Sequence, residues 1–363
     1  MKRIRKLIVK YNEHIVGYLA ELENNTIAFQ YEDEWIGNGF SISPFSLPLS
    51  NQVRINKKDT FNGLYGVFQD SLPDGWGELL FRRMLAKKGI NFDRLSPLTK
   101  LSLVNPNGLG GLSYEPSQVE ETSENSYDLD ELAKEAKKIF DDEEGAVDLD
   151  KLYHLGGSGG GARPKVHIKD NDGYWIVKFP CSYDPKDIGQ KEYRVNELAK
   201  QCGIRVNEFK LFNSKISTGY FGARRFDRLD NKRVHMVSLS SLLETTHRIP
   251  NLDYLHLFQV IQNICIDKND LYEAYSRMCF NVLYGNRDDH GKNFAFLYNE
   301  EKGGYALSPA YDLTQTINKP EHEMTVNGSG NPTESHLLEV AKIMKLSLNE
   351  CEQIINMIKQ SLG

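Results

Sequence analysis

The run Asn286-Arg287-Asp288-Asp289-His290-Gly291-Lys292-Asn293 places Asp288 five positions ahead of Asn293, with Lys292 between them. Those residue types at that spacing suit transfer of a phosphoryl group from a metal-bound nucleotide to a hydroxyl. The carboxylate accepts the hydroxyl proton, and the asparagine oxygen helps hold a magnesium ion on the phosphates. Lys292 can neutralise charge on the phosphoryl group in flight. A second acid, Asp312, follows nineteen positions after Asn293, in Ser308-Pro309-Ala310-Tyr311-Asp312-Leu313-Thr314. The residues between them read as a β-hairpin: extended over 293–298, turning over 299–304 and returning over 305–307. A hairpin brings its ends together, so Asn293 and Asp312 could coordinate one metal. Asp289 stands as an alternative to Asp288, and only the five-residue offset favours Asp288. His290 could pass for a metal ligand, but no second histidine has suitable spacing, which favours a packing role.

A glycine-rich stretch, Gly156-Gly157-Ser158-Gly159-Gly160-Gly161-Ala162-Arg163-Pro164-Lys165, is the second feature that could handle phosphate. It is not a Walker A loop, because no glycine directly precedes Lys165 and no Ser or Thr comes after it. Gly157 to Ala162 satisfies G-x-G-x-x-G/A, but a dinucleotide fold requires a helix next. Here Val166–Lys169 leads instead into an Asx-Gly turn over 170–173 and then Tyr174–Phe179, a hairpin pattern. The expected arrangement is strand, glycine loop, strand, with backbone N–H groups approaching the phosphates unobstructed. Ser158, Gly159, Gly160, Gly161, Ala162 and Lys165 are the candidate ATP contacts of this loop. A plain flexible turn is the bland alternative. Lys178, near the end of the second hairpin strand, is where a lysine would grip the α- and β-phosphates, although a lysine there could equally snorkel from an edge. Its ion-pair partner is expected on the next helix, with Glu192 preferred to Glu197. Backbone groups around Arg224, Arg225 and Phe226 would meet the adenine, where a strand ends at an expected lobe hinge.

The elements that must position these groups fall into a recognisable order. A chain of 363 residues is too long for one ordinary core and suggests two or three packed units. Apolar content of 40% and charged content of 26% are those of a soluble globular protein. A net charge of −6 argues against a dedicated nucleic-acid binder, whose domain would be basic. The five cysteines are scattered without a C-x-x-C pair, as expected of reduced thiols in a cytoplasmic protein. The basic start Met1–Lys6 precedes an apolar run of only Leu7-Ile8-Val9, too short for a signal h-region, and no apolar stretch approaches a membrane span of about 20 residues. Residues 1–115 form a first β-rich unit with strands over 7–11, 13–22 and 26–31 and a helix over 76–88. Residues 116–150 are an acidic connector, read as a solvated linker, with one helix over 129–140. Residues 151–245 return to short strands with a helix near 191–202, and 246–363 is mainly helical, with helices over 252–267, 270–283, 334–344 and 349–361. The fold class read from this order is α+β: a two-lobed protein-kinase-like fold, β-rich first and helical last.

Taken together, these motifs resemble the HipA family of bacterial Ser/Thr protein kinases, the toxin halves of type II toxin–antitoxin modules. Phe68–Gly77 and Gly108–Pro116 look like the family's N-terminal subdomain. Gly161–Lys165, Phe226-Asp227-Arg228, Asp288–Phe294 and Tyr311-Asp312 look like its kinase core, and Asn327-Gly328 with 334–362 looks like its helical tail. The resemblance implies Asp288 as catalytic base, Asn293 and Asp312 as Mg²⁺ ligands, Lys178 as the ATP lysine and Ser158 as an autophosphorylated serine. It also implies a HipB-like helix-turn-helix antitoxin as partner, DNA only indirectly through that antitoxin, no membrane, and protein substrates among aminoacyl-tRNA synthetases. Arg163-Pro164 departs from members with an acidic residue there. Two rival readings share the acid pair or the scaffold: a small-molecule phosphotransferase, and a catalytically silent module that docks an antitoxin.

Overall fold

The computed structural model describes residues 2–23, 26–105, 107–119, 127–143, 147–157, 160–316 and 318–363. Ser158 and Gly159, two of the expected ATP contacts, lie outside the described residues. Two compact units emerge: Met1–Lys191 with Glu208–His235, and Glu192–Asn207 with Met236–Gly363.

In the first unit, alternating burial on Lys6–Tyr11 turns Leu7, Val9 and Tyr11 inward. That strand pairs antiparallel with His14–Glu21 on one side and Leu112–Glu115 on the other, in a five-stranded sheet ordered Arg54–Ile55, Ile27–Tyr31, His14–Glu21, Lys6–Tyr11, Leu112–Glu115. A second antiparallel sheet is ordered Lys165–Asp170, Gly173–Lys178, Tyr220–Arg224, Phe209–Phe212. The expected hairpin around 170–173 is its first pair, with Asp170 Oδ1 accepting from the N–H groups of Asp172 and Gly173 as an Asx turn. Trp175, Val177 and Val166 from this sheet share a core with Trp76, Leu80, Phe81 and Leu85 of the helix Gly75–Lys87. Both indoles are fully buried, each contributing roughly 1.5–3 kcal/mol of transfer free energy.

Two expectations need correcting here. The element before the glycine loop is a helix, Leu149–Gly156, and not a strand. Asp148 accepts from the N–H of Lys151 as N-cap, and Leu152 and Leu155 fall three apart on one buried face, so capping plus periodicity outweighs the β-preference of Tyr153. The acidic connector is also more than a solvated linker. Its helix, Leu129–Phe140, buries Leu132, Ala133, Ala136 and Ile139 in that same core. Asp130 accepts hydrogen bonds from Ser214 Oγ (2.7 Å), Tyr220 OH (2.8 Å) and the N–H of Lys215 (2.8 Å). The charge run masks an apolar stripe at helical spacing.

The second unit is mainly helical: Tyr254–Ile264, Asn269–Tyr284, Glu334–Ile343 and Leu348–Leu362. A three-stranded antiparallel sheet places Ala295–Asn299 between Met236–Ser238 and Gly304–Leu307. The expected hairpin is therefore present, but its first strand begins at Ala295, because Gly291–Asn293 forms a 3₁₀ turn. Leu252–Asp253 pairs in parallel with Met324–Thr325. All five cysteines are free thiols. Among the described residues, no helix is long and apolar enough to cross a membrane.

Candidate active site

The acid-rich loop begins where the helix Asn269–Tyr284 ends. Gly285 takes a left-handed conformation (φ 83°) and caps that helix, which lets the chain turn sharply into 286–290. The two adjacent aspartates then part ways. Asp289 is fully buried, with 0% of its side chain exposed. It accepts from Tyr254 OH (2.8 Å), the His322 ring (2.8 Å) and the N–H of Glu323 (3.0 Å). Burial and the Asp289 charge push the Tyr254 hydroxyl well above its ordinary range, so it stays protonated and donates. Asp289 is thus a structural anchor, out of reach of a substrate proton. Asp288 keeps 39% of its side chain exposed.

Asn293 is fixed relative to Asp288 by its side-chain amide, which donates to the Asp288 carbonyl at 2.7 Å. With the nitrogen so engaged, the amide oxygen is the end left for a cation. The far end of the hairpin returns Tyr311-Asp312 to the same neighbourhood: Tyr311 OH donates to the Lys292 carbonyl at 2.5 Å. Asp312 itself has φ 52°, an unusual backbone for a non-glycine residue and one that occurs disproportionately at functional positions. Arg277, 2% exposed, donates to the Ser308 carbonyl at 2.5 Å and pins the strand leading into this turn. An amide oxygen and a carboxylate are hard donors of the kind Mg²⁺ accepts alongside phosphate oxygens and water. Among the described residues there is no cluster of three or more His, Cys, Asp or Glu that could hold a metal by itself. His290 instead packs against His247, ring centroids 5.2 Å apart.

The segment after Asp312, which carries no periodic pattern in its residues, is knitted onto the loop. Thr316 Oγ1 accepts from the N–H of Arg287 (2.6 Å) and of Asp288 (3.1 Å). The Arg287 guanidinium donates to the carbonyls of Lys319 (2.6 Å) and Pro320 (2.9 Å). Lys319 Nζ reaches Asp288 Oδ1 (2.5 Å) and Glu323 Oε1 (2.6 Å). Burial by itself would lower the Lys319 pKa, but hydrogen bonds to Asp288 and Glu323 outweigh it and the pKa is raised.

In the first unit, the glycine loop is held by the turn Pro73-Asp74-Gly75. Asp74 occupies the N-cap of the helix Gly75–Lys87 without capping it; its Oδ1 instead accepts from the N–H of Gly161 at 2.6 Å. The N–H of Trp76 donates to the Gly161 carbonyl (2.9 Å), and Trp76 Nε1 to the Lys165 carbonyl (3.0 Å). Gly75 has φ 47°, and a Cβ there would collide with the Gly161 carbonyl, so only glycine allows this approach. Lys165 is 5% exposed and its ammonium donates to the Gly160 carbonyl. Ala162 is exposed. Arg163 forms a two-point ion pair with Asp184 (3.0 and 2.9 Å). Lys178 ends the strand Gly173–Lys178, opposite Lys165, with Nζ 5.8 Å from the Phe221 ring centroid. On the helix Ile188–Gln201, Glu192 is 5% exposed, whereas Glu197 is exposed and hydrogen-bonds Tyr193.

Two of the three expected adenine-contacting residues, Arg224 and Arg225, have structural side-chain duties. Arg224 pairs with Glu208 (2.7 Å), and Phe226 is half-buried. The N–H of Arg225 donates to the Tyr174 carbonyl at 2.8 Å. The buried Arg225 guanidinium bonds both oxygens of Asp227 (2.9 and 2.7 Å) and the carbonyls of Asn107 (2.7 Å) and Gly108 (2.8 Å). Arg228 adds bonds to Asp227 (3.0 Å) and the Gly108 carbonyl (2.6 Å), and the N–H of Gly110 donates to Asp227 (2.7 Å). Phe226-Asp227-Arg228 and the Gly108–Gly111 run, far apart in sequence, therefore meet around one buried carboxylate. Burial and the nearby Arg225 push His167 down to about 3, so it stays neutral there.

Comparison with known proteins fits this layout. The HipA N-terminal domain model matches residues 7–115, and the HipA-like C-terminal domain model matches residues 157–362. A protein of Sinorhizobium fredii named "Putative kinase Y4mE" is 38% identical over 349 residues, covering 88% of this chain and 79% of its own. A second from the same organism, "Putative kinase Y4dM", is 29% identical over 173 residues, covering 44% of this chain; the match spans 42% of that relative, less than half its length. The fold is that of HipA in the Shewanella oneidensis complex of HipA, HipB and operator DNA, at TM-score 0.72 and 19% identity over 98% of this chain and 88% of that one.

Proposed function

The chain belongs to the HipA family, and on that premise we propose that it is an ATP-dependent kinase that moves the γ-phosphate to a serine or threonine hydroxyl of a protein. The observation that carries this reading is the division of labour in the loop. Asp289 is buried and saturated, Asp288 is accessible, and Asn293 is tied to the Asp288 main chain. In this proposal Asp288 accepts the hydroxyl proton as the acceptor oxygen attacks, and Lys292 offsets charge on the transferring group. Asn293 and Asp312 would hold Mg²⁺, which when bound neutralises the phosphate oxygens. Lys178 orients the nucleotide, and backbone groups of the glycine loop and of 224–226 contact it. The relatives' names and the partly exposed Asp288 carboxylate support a kinase over a silent docking module.

Replacing Lys178 with Met is expected to weaken binding of a non-hydrolysable ATP analogue roughly tenfold or more, since it removes a charge-assisted contact. Isothermal titration calorimetry on the folded variant checks this; unchanged affinity would take Lys178 out of the nucleotide site. The Shewanella complex supports a HipB-like antitoxin as partner; DNA contact only through that antitoxin rests on family membership. An aminoacyl-tRNA synthetase as acceptor and autophosphorylation of Ser158 complete the proposal, both resting on family membership. Phosphate on Ser158 would add close to two negative charges to a loop meant for ATP phosphates and should shut transfer down.

A further inference from the structure

The Asp288 carboxylate already has an occupant from its own chain. Lys319 Nζ sits 2.5 Å from Asp288 Oδ1 while also contacting Glu323 at 2.6 Å. The backbone around Lys319 cannot move away easily. Its carbonyl and that of Pro320 are held by the Arg287 guanidinium. The N–H of Glu323 donates to the Arg287 carbonyl (3.2 Å) and to Asp289 (3.0 Å). Thr316 binds the N–H groups of Arg287 and Asp288. Within this frame the flexible part is the four-carbon stem of Lys319, and its ammonium has two carboxylates in reach. It can let go of Asp288 and keep an ion pair with Glu323.

We propose that Lys319 is a positioning residue that occupies the acceptor side of Asp288 in the resting enzyme and shifts onto Glu323 when an acceptor hydroxyl arrives. This rests on the reading of Asp288 as the base. The consequence is discrimination against water. For water to act as acceptor, its oxygen must bond the γ-phosphorus as the bond to the bridging oxygen breaks, releasing ADP, and one water proton must pass to Asp288. With the ammonium seated on that carboxylate, water has no binding energy with which to displace it. A protein acceptor does, through contacts remote from the reacting hydroxyl. A lysine retained only for charge neutralisation would have the opposite signature, because its loss would slow every transfer.

The test is the initial rate of phosphate release from MgATP by the full chain with no protein acceptor added. Lys319→Met should hydrolyse ATP roughly two- to fivefold faster than the wild type, the range set by losing one partly exposed ion pair. Lys319→Arg, which keeps the cation, should restore the slow rate. A damaged fold cannot produce a gain, and thermal melting verifies that the variants are folded. If Lys319→Met hydrolyses ATP no faster than the wild type, the proposal is overturned. Asp288→Asn keeps the two layers separate. If it turns over ATP like the wild type, the base assignment itself is wrong; if it is silent while Lys319→Met shows no gain, only the role of Lys319 falls.

Discussion

Asp288→Asn should lower phosphoryl transfer by about two to four orders of magnitude while changing ATP affinity less than about threefold. The substitution removes the proton acceptor but keeps the shape of the side chain. The main-chain bonds that fix the loop do not depend on the Asp288 carboxylate: Asn293 binds the Asp288 carbonyl, and Thr316 binds its N–H. The neighbour provides the control. Asp289→Asn touches a buried anchor held by Tyr254, His322 and Glu323, so its effect should appear first in thermal stability. Measuring single-turnover transfer and nucleotide binding on both variants separates chemistry from architecture. A fully active Asp288→Asn enzyme would contradict the assignment.

The largest stability loss is expected at Asp227, outside the reacting groups. Asp227 is 2% exposed and is shared by Arg225, Arg228 and the N–H of Gly110. Asp227→Ala leaves two guanidinium groups without their carboxylate and should cost about 3–5 kcal/mol. Burial by itself would raise the Asp227 pKa; the charges of Arg225 and Arg228 override it and hold the carboxyl far below the ordinary range. A depressed carboxylate pKa stabilises the fold above its unfolded value of about 4, and that contribution is lost as pH falls below it toward the folded value. Melting curves should therefore show a wide gap between wild type and variant at pH 7 that narrows progressively below about pH 4. A gap that stays constant across that range would mean the carboxylate charge is not what holds the cluster.

The first three strands of the first sheet, the hairpin ending at Lys178 and the four C-terminal helices were legible from their own residues, whereas the short strands Arg54–Ile55 and Leu112–Glu115 were not. Leu7, Val9 and Tyr11 alternate, and the 129–140 helix could be placed by periodicity alone. The helix Leu149–Gly156 was missed because eight residues beside a glycine run give too short a window for periodicity to register. The environment of the acidic connector and its helix Leu129–Phe140 was misjudged for a related reason: charge dominates composition even where an apolar stripe decides packing. At the site, spacing marked Asp288, Asn293 and Asp312 as candidates and favoured Asp288 over Asp289 only through its five-residue offset; their different exposure is a property of the fold. Nothing local marks Asp74 as a partner of the glycine loop, yet its carboxylate is committed to Gly161, 87 residues away. Lys319 lies in an irregular stretch, and nothing local marks it as a partner of an acid 31 positions earlier.

The central claim is that this chain transfers phosphate from ATP to protein hydroxyls, and label transfer tests it most directly. Purified chain is incubated with γ-labelled ATP, Mg²⁺ and a cell lysate whose own kinases have been heat-inactivated, beside the Asp288→Asn variant. The account predicts label on serine or threonine of one or a few proteins, dependent on Mg²⁺ and absent with the variant. Label appearing only in small molecules, or equally with both chains, would contradict it.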